Sequence, residues 1–154
     1  MVKIPLSQGM IALVDDADFK ELSKYKWCVQ KSKQTYYARA GWLNGKRMIM
    51  HRFLLGLNDP KTKCDHADGN GLNNQRLNIR QATNSENSAN RSSRGSSVYL
   101  GVCKFKGKEK WTAAIRKDNK KTYLGIFKCE KEAALAYNKA ASKIHGEFAR
   151  LNII

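Results

Sequence analysis

The first fifty positions consist mainly of short stretches in which apolar and polar residues alternate. This period of two indicates strands. Residues 2–6 and 10–14 flank Ser7-Gln8-Gly9, a pattern that predicts a hairpin. Apolar residues at helical spacing then follow an acidic segment at residues 15–18. Three further β-like segments, with a turn at Asn44-Gly45, cover residues 27–30, 35–42 and 47–50.

The C-terminal third has the pattern of three strands followed by one helix. The helix is predicted from Glu130 to about His145, because small and apolar residues form a stripe along it before Gly146. Alternation in the middle strand predicts that one sheet face packs on this helix, while Arg116, Lys121 and Tyr123 share the exposed face. The strands are predicted at residues 98–106, 110–117 and 121–127, with turns at 107–108 and 118–119.

The middle of the chain concentrates polar residues around a strand and a turn. Residues 63–66 have a strand pattern that ends at Asp68-Gly69-Asn70-Gly71, where glycine and asparagine tolerate positive φ. Thr83-Asn84-Ser85-Glu86 has the form of a capping box and predicts a helix from about Asn84. That helix presents Asn87 and Arg91 on one face, because they are four residues apart. Another short helix is predicted at residues 51–57.

Four polar residues of this region suit metal-assisted hydrolysis. A carboxylate at Asp65 and an amide oxygen at Asn87 match Mg²⁺, which is commonly held by one or two protein groups plus substrate phosphate. A neutral imidazole at His66, with an ordinary pKa of ~6.5, can accept a proton from the attacking water. Asn78 can fix the orientation of that ring. Asp65 and His66 are neighbours in a predicted strand, so they share a site only where the strand ends or twists.

Two other groups of polar residues suggest sites of their own. Asp15, Asp16 and Asp18 could form a second metal site, but acids at a helix N-terminus are better explained by free amides and the helix dipole. His51 opens the short helix at 51–57 and is either a packing residue or a support for the active site. His145, near the end of the last helix, is interpreted as structural.

The composition adds a strong positive charge to this picture. The 154 residues carry a formal net charge of +16, and both halves of the chain are basic. Such a field favours a polyanion, because neutralising phosphates releases condensed counterions. The four cysteines are irregularly spaced with no Cys-x-x-Cys pair, so we expect reduced thiols and no structural zinc. The sequence has no signal-peptide pattern and no long apolar run, which predicts a cytosolic protein without a membrane partner.

An ordered series of motifs covers residues 50–87: Met50-His51-Arg52, Asp65-His66-x-Asp68-Gly69-Asn70, Leu72-Asn73-Asn74, Leu77-Asn78-Ile79-Arg80 and Thr83-x-x-Glu86-Asn87. On these motifs the chain resembles the HNH (His-Asn-His) endonucleases with a ββα-metal fold, particularly the homing type encoded by phages and introns. The resemblance implies that Asp65 and Asn87 are metal ligands. It also implies that His66 is the general base and Asn78 its orienting partner. Many members have histidine at the final ligand position, and the homing branch shares the asparagine seen here.

A second series of motifs covers the C-terminal third: Tyr99-x-Gly101-Val102, Trp111-x-Ala113-Ala114-Ile115-Arg116, Tyr123-Leu124-Gly125-x-Phe127, Glu132-Ala133-Ala134-x-Ala136-Tyr137 and His145-Gly146-x-Phe148-Ala149-x-Leu151-Asn152. Here the chain resembles the ethylene-response-factor (Apetala-type) DNA-binding domain of plants. The resemblance implies DNA contacts by Arg116, Lys121 and Tyr123. Leu100 and Cys103 stand where the plant proteins have arginine, so the GC-rich site of those proteins is not expected. The further basic candidates for DNA contact are Arg91 and Lys104.

These observations predict an α+β chain in three parts. Residues 1–92 form the nuclease domain, with a β-rich lead-in at 1–50 and the ββα-metal motif at 51–92. The small, polar residues 93–97 form a linker. Residues 98–154 form a three-stranded antiparallel sheet packed on one helix.

The leading hypothesis is a divalent-metal-dependent endonuclease that nicks or cleaves double-stranded DNA, with one Mg²⁺ or Mn²⁺ per site, acting as a monomer or a homodimer. A cytoplasmic location in a bacterial host, with a phage-encoded gene, fits the resemblance. The main alternative is a non-catalytic DNA-binding transcriptional regulator with a decayed nuclease motif. A third is an RNA-binding accessory protein, which requires exposed aromatics that stack on single-stranded bases.

Overall fold

The chain folds into two compact units, Met1–Thr83 and Asn84–Ile154, each with its own apolar core. The computed structural model describes residues 1–32, 35–43, 45–90, 96–105 and 109–154. Small antiparallel sheets and short helices occur in both units, which is an α+β architecture. The division falls at Thr83, before the end of the nuclease domain predicted at residue 92. Most of the predicted linker lies outside the described residues, so the linker stays a prediction.

In its described residues, the first unit contains three small antiparallel sheets and two short α-helices. The first hairpin follows the predicted pattern, with Val2 opposite Val14. The helix predicted at 51–57 begins one residue earlier and ends at Leu54, and its buried residues include Met50 and His51. The elements are β1 Val2–Pro5, β2 Ile11–Val14, α1 Asp16–Leu22, β3 Cys28–Lys31, β4 Tyr36–Leu43, β5 Lys46–Ile49, α2 Met50–Leu54, β6 Lys63–His66 and β7 Ile79–Ala82.

The core of the first unit combines apolar residues of its strands and of its helices. Val14, Leu22 and Met50 are among its most deeply buried side chains, and Trp27 donates its indole N–H to the carbonyl of Leu22 at 2.8 Å. The three-stranded sheet has the order β3-β4-β5, and β6 pairs with β7 in a separate two-stranded ribbon. This ribbon carries the Asp65-His66 pair at its end.

The second unit packs a three-stranded antiparallel sheet on one helix, as the pattern predicts. Ala133, Tyr137 and Ala141 of the helix are buried against the sheet. Gly101 approaches Tyr137 so closely that a Cβ at this position would overlap the ring. Its elements are α3 Asn84–Ala89, β8 Val102–Lys104, β9 Trp111–Lys117, β10 Lys120–Phe127 and α4 Glu130–His145.

The first strand predicted for this unit is wrong at its start. Residues 98–101 are turns rather than strand, and β8 begins only at Val102. The physical reason is a pair of hydrogen bonds from a distant side chain. Oδ1 of Asn152 accepts from the amide of Leu100 at 2.6 Å, and its Nδ2 donates to the Leu100 carbonyl at 3.2 Å. These bonds occupy the backbone groups of Leu100 that a strand ladder would use.

Candidate active site and DNA-contacting surface

Asp65 and His66 lie at the end of β6, where the ribbon with β7 stays regular. Asp65 is opposite Arg80 and His66 is opposite Ile79. Neighbouring side chains of a regular strand leave on opposite faces, so the carboxylate and the imidazole emerge on different sides of the ribbon. Both residues are nevertheless buried. Burial is the main influence on the pKa of His66 and lowers it, and the charge of Asp65 is a smaller influence that opposes burial.

The His66 imidazole is held by an amide and two rings. Its Nε2 lies 3.4 Å from Oδ1 of Asn74, a residue with no exposed surface. The rings of Tyr37 and His51 pack on it with centroid distances of 5.8 and 5.0 Å. Burial lowers the pKa of His66, and this effect outweighs the opposing effects of Asn74, Asp68 and Asp65. The folded chain therefore favours the neutral imidazole, the form that can accept a proton.

The orienting contact to His66 comes from Asn74 rather than from Asn78, which we predicted for it. The Asn78 amide instead closes the preceding turn. Its Nδ2 donates to Oδ1 of Asp68 at 3.0 Å and to the carbonyl of Asn73 at 2.7 Å, and its Oδ1 accepts from the amide of Asp68 at 3.0 Å. Asn78 thus fixes the loop that leaves His66, because its amide binds the loop's own carboxylate and backbone.

The other polar residues of this loop also make short local hydrogen bonds. Asp68 Oδ1 accepts from the amide of Asn70 at 2.8 Å, and Asp68 Oδ2 accepts from Nδ2 of Asn73 at 2.8 Å. Oδ1 of Asn70 in turn accepts from the amide of Leu72 at 3.1 Å. Side chains of this type bond the backbone two residues on, which is how Asp and Asn build turns. The loop is therefore held by its own polar residues.

Arg80 is the partner of the Asp65 carboxylate. Its Nε and Nη2 donate to Oδ2 of Asp65 at 2.9 and 2.7 Å, and the two side chains are 20% and 5% exposed. A buried carboxylate needs such compensation, because an uncompensated buried charge is strongly destabilising. Arg80 therefore fixes the position of one carboxylate oxygen of Asp65.

His51 is buried beside the candidate base and lacks a polar partner. Within the described part of the chain, its Nδ1 has no hydrogen-bond partner. Its ring stands edge-on to His66 and to Tyr37, with centroid distances of 5.0 and 5.2 Å. Burial lowers the pKa of His51 to about 3, and repulsion from His66 and Arg52 acts in the same direction. This pKa favours the neutral form of the His51 ring, which is in contact with the ring of His66.

Acidic residues at the start of α1 hold the loop in place. Asp15 accepts from the amide of Arg76 at 2.7 Å and from Nε2 of Gln75 at 3.2 Å, and these bonds lower its pKa. Asp18 pairs with the Arg76 guanidinium at 2.7 and 2.9 Å. The prediction that these acids serve their own helix is wrong for Asp15, whose side chain makes no capping bond. They bind the segment that carries the candidate site instead.

The exposed face of the second unit's sheet has the composition that we predicted. Lys121 lies directly opposite Arg116, and Tyr123 opposite Ala114, so all three candidates share one face. Tyr123 is 57% exposed. Lys104 is also exposed, but it lies opposite Trp111, and this register assigns it to the face that packs on α4.

The remaining candidates lie elsewhere or outside the described residues. Asn87 is in α3 of the second unit, whereas Asp65, His66 and Asn78 are in the first. Arg91 lies outside the described residues. In the described ranges, no group of three or more His, Cys, Asp or Glu residues is arranged to hold a metal ion.

Two further sequence predictions concern cysteines and membranes. All four cysteines are free thiols, with Cys28 and Cys64 partly buried and Cys103 and Cys129 exposed. Among the helices that the structure describes, none combines the length and apolar character needed to cross a membrane.

Comparison with known proteins links both units to named relatives. The chain is 33% identical over 147 residues to an uncharacterized HNH endonuclease of Acanthamoeba polyphaga mimivirus, covering 96% of this chain and 77% of the relative. It is 42% identical over 60 residues to dehydration-responsive element-binding protein 2C of Arabidopsis thaliana, and 46% identical over 56 residues to the AP2-like ethylene-responsive transcription factor AIL7 of the same plant. These two matches cover 34% and 35% of this chain but only 18% and 11% of the plant proteins. No family model matches the chain.

Proposed function

We propose, since the chain belongs to the HNH endonuclease family, that it is a divalent-metal-dependent endonuclease that hydrolyses phosphodiester bonds in duplex DNA. The observation that carries this proposal is the environment of His66, an imidazole that is held by Asn74 and whose burial favours the neutral form. A general base needs this protonation state and a fixed orientation.

The hydrogen bond to Asn74 indicates which ring nitrogen of His66 accepts the proton. Nδ2 of Asn74 donates to the carbonyl of Leu72 at 3.2 Å, so its Oδ1 faces the imidazole. An amide oxygen accepts, so Nε2 of His66 carries the hydrogen and Nδ1 carries the lone pair. In our mechanism Nδ1 takes a proton from the water that attacks phosphorus, and the phosphodiester bond to the leaving oxygen breaks.

The proposed metal ligands are Asp65 and Asn87, and their chemistry fits Mg²⁺ or Mn²⁺. Both offer oxygen atoms, and Arg80 holds the buried carboxylate of Asp65 in one position. When bound, the ion stabilises negative charge on the scissile phosphate and on the leaving oxygen. In this proposal β6, β7 and α3 correspond to the two strands and the helix of a ββα-metal motif.

DNA recognition is assigned to the second unit. Its exposed sheet face carries Arg116 and Lys121 opposite one another, with the aromatic ring of Tyr123 two residues further along β10. A cationic strand pair of this kind fits a DNA groove, where arginine can contact base edges and lysine phosphates. Arg91 and Lys104 remain additional candidates for backbone contact. The plant relatives in this part of the chain are a transcription factor and an element-binding protein by name.

A plasmid assay tests the enzyme hypothesis. Supercoiled DNA is incubated with the chain in Mg²⁺, Mn²⁺ or a chelator, using wild type, His66→Ala and a control, His145→Ala, that changes the half-buried histidine of α4. We expect nicking in metal by wild type and the control, and none by His66→Ala. Cleavage that survives His66→Ala refutes the role of His66. DNA binding without cleavage in any metal identifies the chain as a regulator with a decayed nuclease motif.

Related measurements determine how many strands are cut, which target is cut and whether the chain prefers RNA. One site per chain predicts a nicked circle first, and linear product that rises with protein concentration if two chains act together. Sequencing the ends produced from a random-site library reports the target and tests the proposed homing role. Preferential binding of single-stranded RNA over the duplex would favour the accessory-protein alternative.

A further inference from the structure

A tryptophan on the three-stranded sheet of the first unit is exposed although it is large and apolar. Trp42 in β4 has 70% of its surface exposed, whereas Trp27 of the same unit is buried at 4%. Aromatic residues are enriched where a surface binds a partner, and exposed aromatics in nucleic-acid-binding proteins stack on bases or sugars. The surroundings of Trp42 decide which kind of partner this face suits.

A β-bulge brings Trp42 onto the same face as two arginines. Arg39 is opposite Ile49 and Trp42 is opposite Arg47, so β4 uses one more residue than β5 between these pairs. Without the extra residue, Trp42 and Arg39 would leave the sheet on opposite sides. Directly opposed residues share a face, so Arg39, Trp42, Arg47 and Ile49 all lie on one side of the sheet. We call this surface the Trp42 face.

The two arginines and the indole form a cationic cleft. The guanidinium carbon of Arg47 lies 5.6 Å from the centroid of the Trp42 ring, within the range of a cation–π contact. A cavity of about 240 Å³ lies on this face. It is lined by Cys28, Arg39, Ala40, Gly41, Trp42 and Arg47. Two positive charges beside an aromatic ring suit an anionic polymer with planar bases better than they suit an apolar or cationic partner.

The Trp42 face is continuous with the candidate active site. Tyr37 precedes Arg39 by two residues in β4 and therefore points to the same side of the sheet. The Tyr37 ring packs on the rings of His51 and His66. Trp42 is five positions after Tyr37 in β4, which corresponds to roughly 15 Å at about 3.3 Å per residue after allowing for the bulge. That length corresponds to about four or five steps of one DNA strand at 3.4 Å each.

We propose that the Trp42 face is a second DNA-binding surface, which holds the target duplex about four or five base pairs from the scissile phosphate. Arg39 and Arg47 bind phosphates, and the Trp42 ring packs on a base or sugar edge. The inference rests on the proposed endonuclease function, because the position of the cut defines the distance. It assigns a separate role to the nuclease unit, which then binds DNA independently of Arg116 and Lys121 in the second unit.

The first experiment measures binding without cleavage. All chains carry His66→Ala, contain no metal ion and have Trp111→Phe, so the fluorescent residues are Trp27 and Trp42. We expect a duplex containing the target to quench the fluorescence, and Trp42→Phe to abolish that quenching, since Trp27 is buried. Trp42→Ala should weaken DNA binding on the order of tenfold, because it removes the ring that packs on the DNA. Trp42→Phe should weaken binding much less, because phenylalanine keeps an aromatic ring. Quenching that persists in Trp42→Phe overturns the proposal.

The second experiment tests the phosphate contact of Arg47 and locates it on the DNA. Arg47→Ala, at an exposed position, should lower the slope of log affinity against log salt by about 0.9, and Lys31→Ala on the opposite face of the sheet should leave it unchanged. Hydroxyl-radical footprints should lose protection four or five base pairs from the cut in Arg47→Ala. An unchanged slope and footprint for Arg47→Ala refute the proposal.

The two proposals fail in different ways. A chain that never cuts DNA but shows Trp42-dependent binding refutes the endonuclease and leaves the DNA-binding surface in place. A chain that cuts DNA while Trp42→Ala and Arg47→Ala bind as wild type refutes the surface alone. Self-association that Trp42→Ala removes, with unchanged DNA binding, would assign the face to a second copy of the chain and also overturn the inference.

Discussion

The buried histidine beside the candidate base makes the first unit sensitive to acid. His51 is 8% exposed, its Nδ1 lacks a hydrogen-bond partner among the described residues, and its pKa falls from 6.5 to about 3. The perturbation is His51→Phe, which keeps a planar ring in contact with Tyr37 and His66 but cannot take up a proton. The comparison removes the protonation of His51 together with its repulsion of His66.

The sign follows from the lowered pKa of His51. The unfolded chain binds a proton below pH 6.5, whereas the folded chain resists it until about pH 3, so protons favour the unfolded state between these limits. Stability from this group is complete above pH 6.5 and is lost as the pH falls toward 3. At 1.36 kcal/mol per pKa unit, the loss in the free energy of unfolding is about 2 kcal/mol at pH 5 and about 3 kcal/mol at pH 4.

The assay follows unfolding of the first unit alone. Urea titrations at pH 7.5, 5 and 4 are monitored by the fluorescence of Trp27, with Trp42→Phe and Trp111→Phe in every chain. We expect the free energy of unfolding to fall less steeply with acid in His51→Phe than in the parent, by the amounts given above. The control is His145→Phe, a substitution in the second unit that should leave the transition of Trp27 unaffected.

The result that refutes this reasoning is a parallel acid dependence in the two chains. If His51→Phe and its parent lose the same free energy between pH 7.5 and 4, His51 does not resist protonation in the folded state. A loss of stability at pH 7.5 in His51→Phe does not affect the conclusion, because the prediction concerns the difference in slope. The change in the free energy of unfolding with pH reports protonation of His51. The free energy of unfolding at pH 7.5 reports how well the replaced ring packs.

Three further outcomes follow from the structure. A Cβ at Gly71 would lie 2.6 Å from the Tyr37 ring and closer still to the carbonyl of Tyr36, so Gly71→Ala should destabilise the first unit by about 1–3 kcal/mol in a urea titration and reduce cleavage. Gly9→Ala, which has open space around its Cβ but a strained φ of +69°, is the control for a loss of stability without a clash at Tyr37. Lys121→Ala should make the slope of log DNA affinity against log salt concentration less steep by about 0.9. An unchanged slope would exclude a phosphate contact by Lys121. Arg116→Ala should weaken binding by about 1–3 kcal/mol and relax selectivity at one base position, which a binding-site selection measures.

Elements set by local patterns could be predicted from the sequence. The strand Lys63–His66 and the helix Glu130–His145 have the predicted bounds, because a turn-forming sequence ends the first and Gly146 ends the second. The shared face of Arg116 and Lys121 also follows from simple alternation across a tight turn. These features depend on residues that are close in the chain.

The contacts of His66 could not be predicted in the same way. Several asparagines follow the histidine, and local pattern does not distinguish the one that faces the ring. Asn74 takes that place because its backbone amide donates to the carbonyl of Leu13 at 2.7 Å, a contact between residues 61 positions apart. The available signal was the register of β6 and β7, which, once assumed, places Arg80 opposite Asp65. The contact between Asn74 and His66 depends on hydrogen bonds between residues that are distant in the sequence.

One arginine joins three parts of the first unit. The Arg76 guanidinium pairs with Asp18 of α1 and donates to the carbonyl of Leu54 at 2.7 Å, while its backbone amide donates to Asp15. The hydrolytic motif is thus inseparable from the segments that precede it. Engineers who exchange target specificity between relatives should keep residues 11–89 as one block, which includes Asn87. A graft of 63–89 alone would leave Arg76 without its acidic partners and the loop after His66 without its support.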